Sequence, residues 1–194
     1  MRRVLVIDDH EPSRKYLVEL LIQRGYEIAG EGVSGELALT MAETLAPDVI
    51  LMAVGLSDLD GIDAARAILR SNPLPIILLT SHFDAATIDR AKQAGVMAYL
   101  VKPLRAEELS PTIELAISRF REFSSLQEEN STLKENLAGR KLIERAKGLL
   151  MAQRNISEAE AYSLIKKASM NMRKPMADVA QAILVAAEIT EGKK

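Results

Sequence analysis

The sequence predicts an α/β fold, a doubly wound five-stranded parallel sheet, followed by a coiled-coil helix and a small all-α three-helix bundle. Short apolar runs alternate with amphipathic stretches five times in the first half of the chain, and this alternation is typical of a parallel sheet covered on both faces. A long stretch almost free of Gly and Pro follows, which favours a long helix. Three further apolar stripes at helical spacing predict the bundle.

The five apolar runs are the predicted strands, and a predicted helix follows each. The strands cover residues 4–7, 26–29, 49–54, 76–79 and 98–101. The first four helices cover residues 12–24, 36–45, 62–69 and 85–94, and the long helix follows the fifth strand.

Polar residues follow three of these strands. Asp8 and Asp9 end the first, Thr80 ends the fourth and Lys102 follows the fifth. Ligands bind at the carboxyl ends of parallel strands, so we expect these side chains to form one pocket. Two adjacent carboxylates suit Mg²⁺, and the ammonium of Lys102 would offset their repulsion or hold a phosphoryl oxygen.

Residues 113–151 predict one nearly continuous helix, or two helices joined at Gly139. Its middle carries a seam at alternating spacings of three and four: Phe123, Leu126, Asn130, Leu133 and Leu137. An Asn in such a seam favours a two-stranded coiled coil, so we expect a homodimer. The alternative is a helix that packs back on its own domain.

The C-terminal bundle is predicted from three apolar stripes. The first is Leu142, Ile143, Ala146, Leu149 and Leu150, with Arg140 and Lys147 projecting from the other side. Ser157 and Glu160 form a capping box for the second helix, whose inner face is Ala161, Leu164, Ile165, Ala168 and Met172. Pro175 and Asp178 start the third, with Val179, Ala180, Ile183, Leu184 and Ala187 inward.

Charge is divided unequally along the chain. Residues 140–194 carry 11 basic and 6 acidic side chains, whereas the preceding residues carry 14 and 21. A basic C-terminal part favours a polyanionic partner. The predicted phosphate-binding residues are Arg140, Lys141, Arg145, Lys147, Lys166, Lys167, Arg173 and Lys174. Tyr162 is a candidate for stacking on an RNA base, and its alternative is packing at the edge of the bundle.

The chain has no Cys and no apolar run long enough for a membrane span. We therefore expect no disulfide and no thiolate metal site, and a cytoplasmic protein without a membrane partner.

The first part of the chain, to about residue 120, resembles the receiver domain of bacterial response regulators, a flavodoxin-like fold. The residues that carry the resemblance are Asp8, Asp9, Thr80, Tyr99, Lys102, Pro103 and the turn Leu59-Asp60-Gly61. The resemblance implies a receiver pocket lined by Asp8, Asp9, Thr80, Tyr99 and Lys102. In that family the third strand ends in an aspartate that accepts phosphate from a histidine kinase. Ala53 occupies the matching position, and Ser57 stands where the family usually has Pro.

Ala53 changes what the resemblance implies. A methyl group neither forms an acyl phosphate nor binds a cation, so we expect no phosphorylation here and weak or absent Mg²⁺. Asp58 and Asp60 lie beyond the strand end, and we do not expect either to replace the acceptor. Either this is a natural receiver that signals without phosphate, or an Asp was deliberately replaced. One sequence does not separate the two.

Residues 140–186 resemble the ANTAR domain of transcription antitermination regulators. The resemblance rests on the runs 143–151, 157–162 and 167–170. It implies binding of paired RNA stem-loops in leader transcripts, which blocks a terminator hairpin. Ile165-Lys166-Lys167 stands where the family often has Leu-Arg, so the charge is kept but bidentate phosphate contact by Arg is lost.

Together these patterns predict a receiver-like domain at 1–120, a coiled-coil linker at 113–139 and an RNA-binding domain at 140–194. We expect a dimeric, non-enzymatic transcription antiterminator, with a sensor kinase or other protein as the receiver's partner. Two alternatives remain open: a protein–protein adaptor, and a regulator that binds duplex DNA.

Overall fold

The computed structural model describes residues 1–81 and 84–191, with side chains to residue 187. The chain forms two compact units, Met1–Ser124 and Ser125–Lys194. The last three residues of the predicted RNA-binding domain lie outside the described part. No helix in that part is long and apolar enough to cross a bilayer.

The first unit contains a five-stranded parallel sheet in the order β2-β1-β3-β4-β5. Its strands are β1 (Arg3–Ile7), β2 (Glu27–Gly32), β3 (Val49–Ala53), β4 (Ile76–Thr80) and β5 (Ala98–Val101). The helices between them are α1 (Glu11–Gln23), α2 (Gly35–Leu45), α3 (Gly61–Ser71) and α4 (Ala85–Ala94). The predicted doubly wound fold is confirmed. Only β2 is displaced, because this edge strand continues through polar and glycine residues that carry no apolar signal.

Alternate side chains of each inner strand enter different cores. On β3, Ile50 and Met52 pack on one face with α2, α3 and α4, whereas Leu51 packs on the other face. Both sets are fully buried. This two-sided burial explains why the inner strands read as uninterrupted apolar runs in the sequence.

A single helix, α5 (Ala106–Arg154), runs unbroken through Gly139. It begins before the predicted residue 113, because Pro111 lies in its early turns and hides the pattern. Leu109, Ile113 and Ile117 are buried against the sheet. Every residue from 121 to 138 is exposed.

The second unit contains the end of α5 with α6 (Glu158–Met172) and α7 (Met176–Glu191). Ala146, Leu150, Ala161, Ile165, Val179, Ala180 and Leu184 form its buried core. The predicted capping box at Ser157 and Glu160 is confirmed. Two predicted core residues are wrong, since Leu164 is 39% and Met172 58% exposed. Met172 is the last residue of α6, and Leu164 lies at the border of the buried stripe.

Candidate functional site

A pocket opens at the carboxyl ends of the strands in the first unit. Asp8 and Asp9 after β1, Thr80 at the end of β4 and Lys102 after β5 all line it. Ala53, the last residue of β3, contributes its methyl group to the same wall. The sheet therefore brings together side chains that are 94 positions apart in the sequence, as with Asp8 and Lys102.

Asp8 is the buried carboxylate of this pocket. It is 1% exposed, and its Oδ2 accepts a hydrogen bond of 2.5 Å from Lys102 Nζ. Its Oδ1 accepts from the backbone N–H of His10 at 3.1 Å. The guanidinium of Arg14 donates to its carbonyl at 2.7 Å. Lys102 thus compensates the charge of the buried carboxylate.

The donor set does not fit a tight Mg²⁺ site. Asp9 is exposed, both oxygens of Asp8 already accept hydrogen bonds, and Ala53 supplies no ligand atom. Within residues 1–81 and 84–191, no three carboxylate or imidazole side chains are grouped so as to hold a metal ion. Mg²⁺ requires near-octahedral oxygen ligation. We therefore assign no step of the protein's action to a metal.

Tyr99 does not line this pocket, contrary to the prediction. It is 44% exposed and lies against a small apolar cleft beside Ile88 and Ala91. Tyr99 is the second residue of β5, and its cleft borders the pocket, because Thr80 and Thr87 line both.

Sequence reasoning missed several polar residues of the pocket. His10 and Ser13 come from the start of α1, and Thr87 and Arg90 come from α4. Arg90 donates to Asp60 Oδ1 at 2.9 Å and lies 3.4 Å from Asp63 Oδ2. In the sequence, Arg90 looks like any cation on the solvent face of an amphipathic helix, so no local signal identified it.

The two carboxylates beyond β3 have other partners. Asp58 accepts the backbone N–H groups of Gly35 at 2.9 Å and Glu36 at 3.1 Å. These bonds hold the pKa of Asp58 well below its usual range. Asp60 caps α3 through the N–H of Ile62 and also binds Arg90. Both carboxylates therefore serve to fix the loop after β3.

The second unit exposes most of its predicted cations. Seven are exposed and, within residues 1–81 and 84–191, have no ion pair: Arg140, Lys141, Arg145, Lys166, Lys167, Arg173 and Lys174. Tyr162 is 45% exposed, so only part of its ring is covered.

The prediction that Lys147 projects from the side of α5 opposite the apolar stripe is wrong. It is 7% exposed, and its Nζ lies 2.8 Å from Glu144 and 2.6 Å from Glu158. These carboxylates raise the pKa of Lys147, and the ammonium lowers the pKa of Glu158. Lys147 bridges α5 and the first turn of α6, because its side chain leaves α5 at the border of the buried stripe.

The seam of α5 is exposed in the described chain. Phe123, Leu126, Leu133 and Leu137 are 50–61% exposed, and Asn130 is exposed with them. Four large apolar side chains along one helix face form an apolar surface that no described residue covers.

Two family models match the chain. The response regulator receiver domain matches residues 4–114 and the ANTAR domain matches residues 131–184. The transcriptional regulatory protein PdtaR of Mycobacterium tuberculosis is 45% identical over 183 residues, which cover 94% of this chain and 89% of that protein. Response regulator protein VraR of Staphylococcus aureus is 35% identical over 113 residues, covering 57% of this chain and 54% of that protein.

Solved structures agree for the first unit. The receiver domain of a modulated diguanylate cyclase from Desulfovibrio desulfuricans is 34% identical with a TM-score of 0.59, covering 62% of this chain and 97% of that chain. The response regulator domain of Thermotoga maritima CheB is 28% identical with a TM-score of 0.57, covering 61% and 97%. The chain therefore belongs to the response regulator family, as a transcription regulator that joins a receiver domain to an ANTAR domain.

Proposed function

We propose that this response regulator binds RNA stem-loops in leader transcripts and promotes transcription through terminators, acting as a dimer whose receiver works without phosphate. It acts by binding, in the cytoplasm, and not as an enzyme. The receiver covers residues 1–120, the coiled-coil linker 113–139 and the RNA-binding domain 140–194.

The observation that carries the proposal is the set of exposed, unpaired cations on the second unit. Seven Lys and Arg side chains are exposed there without an ion pair in the described chain, and the unit matches the ANTAR domain. Lys and Arg side chains of this kind exchange counterions for phosphates and so supply affinity for nucleic acid. Lys147 is excluded from this set because two glutamates already neutralise it.

The exposed seam of α5 supports pairing of two copies. Burying Leu126 and Leu133 against a second chain would remove apolar surface from water, and Asn130 would meet its counterpart across the axis. Two output domains then bind two hairpins of one transcript. Linked sites of this kind gain about a hundredfold in affinity or more over one site.

The receiver is proposed to respond to a protein partner, such as a sensor kinase, and not to phosphorylation of residue 53. Ala53 has no group that accepts phosphate, and Lys102 is already paired with Asp8. A phosphoryl group would add about −1.5 to −2 of charge to such a pocket. Without it, Lys102 compensates only the charge of Asp8.

A gel-shift titration tests the proposal with three ligands: a leader RNA with two hairpins, the same RNA with one hairpin, and a duplex DNA of equal length. We expect the two-hairpin RNA to bind tightest, with an affinity that falls steeply as salt rises. Preference for the duplex DNA would favour a DNA-binding regulator. Binding to none of the three at low ionic strength would favour a protein–protein adaptor.

A further inference from the structure

The interior of α5 contains two glycines in its second-unit part, Gly139 and Gly148. Glycine in the middle of a helix is less stable than alanine, because it loses more backbone freedom on folding. Each of these positions therefore needs a reason for the missing side chain.

Packing within the chain supplies the reason at Gly139. A Cβ built on Gly139 lies 3.2 Å from the Cβ of Ala177, at the start of α7. That distance is tighter than ordinary van der Waals contact, so a methyl group would push α7 away. Gly139 allows two helices of the second unit to approach closely.

No such reason exists at Gly148. A Cβ built there meets no described atom within 4 Å beyond its two chain neighbours and the backbone of its own helical turns, and the residue is exposed. Its backbone is helical, and only Gly25 and Gly95 among the described glycines have positive φ. Neither packing nor backbone conformation within the chain requires glycine here. A reason for glycine at this position therefore lies outside the described chain.

The surroundings of Gly148 indicate what approaches it. Lys141, Arg145 and Gly148 are spaced by four and three residues, so they lie on one face of α5. Lys141 and Arg145 are exposed, and neither forms an ion pair within residues 1–81 and 84–191. The next residue on this face, one turn further, is the small and exposed Ala152. The face is thus basic at one end and free of side-chain bulk at the other.

The dimer seam does not extend to this face. Continuing its alternating spacing beyond Leu137 reaches Arg140, Glu144 and Lys147. All three are charged, and Glu144 forms an ion pair with Lys147. A charged continuation ends an apolar seam, so a second copy of the chain is not the expected neighbour of Gly148.

We propose that Gly148 is a close-approach site for the sugar–phosphate backbone of RNA, which passes over the bare helix while Lys141 and Arg145 contact its phosphates. The inference rests on the proposed RNA-binding function and assigns it a location. Glycine serves the same purpose wherever a protein backbone comes close to a ligand. A methyl group at 148 would hold the ribose and phosphate away from α5, and both cations would lose their contacts.

The full-length Gly148→Ala protein tests this. Its helix gains stability, so Tm should rise by about 2–4 °C, which also shows that the variant is folded. Its affinity for the two-hairpin RNA should fall by about tenfold or more. The slope of log K against log salt should become shallower by about 1.4–1.8 units, the loss expected for two phosphate contacts, although no charge has changed. A neutral substitution that reduces salt dependence is the signature of phosphates moved out of reach.

Ala182→Leu is the matched control, because Ala182 is an exposed position on α7 and the substitution adds more bulk than Gly148→Ala. Its RNA affinity should stay within about twofold of the wild type. Light scattering should give the same dimer for all three proteins.

Three results would overturn the inference while leaving the proposed function intact. They are Gly148→Ala affinity equal to wild type, weaker affinity with an unchanged salt slope, or a change in the dimer constant that accounts for the loss. A wild-type protein that does not bind the RNA would overturn the proposed function and this inference together.

Discussion

Lys102 Nζ lies 2.5 Å from Asp8 Oδ2, at the end of the sheet where Ala53 offers only a methyl group. Asp8 is 1% exposed and the side chain of Lys102 is 20% exposed, so the pair is largely removed from water. Without Lys102, Asp8 would be a buried, uncompensated charge. Lys102 therefore compensates the charge of a carboxylate that is almost fully buried.

Breaking this pair from one side should destabilise the receiver. Lys102→Met leaves Asp8 buried without a counter-ion and should lower the free energy of unfolding by about 2–4 kcal/mol. The double variant Asp8→Asn/Lys102→Met removes both charges and should be closer to wild type than Lys102→Met alone. Urea unfolding followed by circular dichroism measures all three. Additive effects of the two substitutions would show that the pair is not coupled.

Ala53→Asp should give the pocket Mg²⁺ binding and a phosphate acceptor. The new carboxylate joins Asp8 and Asp9 at the strand ends, and three carboxylates bind Mg²⁺ better than two. We expect Mg²⁺ affinity to rise by at least about tenfold, and acetyl phosphate to label the variant but not the wild type. Ala53→Asn is the control, since asparagine has nearly the same shape as aspartate but accepts no phosphate. An unlabelled Ala53→Asp protein would mean that the rest of the pocket no longer supports phosphorylation.

The apolar runs of the sequence predict where each strand ends, and a parallel sheet places these ends at one edge independently of the loop conformations. Asp8, Thr80 and Lys102 could be predicted for that reason. Arg90 and Ser13 could not, because they reach the pocket from helices whose rotation depends on tertiary packing. Lys147 was misplaced for a related reason. The apolar stripe of α5 predicts which of its apolar residues are buried. It does not predict that Lys147, at the border of this stripe, forms an ion pair with Glu158 of the next helix.

Asp58 should make receiver stability sensitive to acid. Its folded-state pKa is lowered by the N–H groups of Glu36 and Gly35. A lowered pKa contributes stability above the unfolded value of about 3.9, and that contribution is lost as pH falls through the folded value. Thermal melts from pH 7 to pH 2 should therefore show a shallower decline of Tm for Asp58→Asn than for wild type. Parallel declines would assign the acid sensitivity to other groups.

Leu126→Ser/Leu133→Ser should separate pairing from RNA contact. Both leucines are at least 58% exposed in the seam and far from the cations in sequence. The variant should be monomeric by light scattering. Its affinity for two-hairpin RNA should fall by about a hundredfold, while single-hairpin affinity is unchanged. The control is Ser124→Ala/Ser131→Ala, at exposed positions outside the seam. Unchanged two-hairpin affinity in a monomeric variant would contradict the avidity mechanism.

Lys147 and Lys166 should respond oppositely when each is replaced by glutamine. Lys147 is held by Glu144 and Glu158, so Lys147→Gln removes the bridge between α5 and α6 and should lower Tm. It should leave the salt dependence of RNA binding unchanged, because its charge is already neutralised. Lys166 is exposed, so Lys166→Gln should leave Tm unchanged and reduce the salt slope by about 0.7–0.9. The contrary result would be a lower salt slope for Lys147→Gln at unchanged Tm. It would mean that the Lys147 ammonium of the wild type leaves both glutamates to contact RNA, so that RNA binding displaces the bridge between α5 and α6.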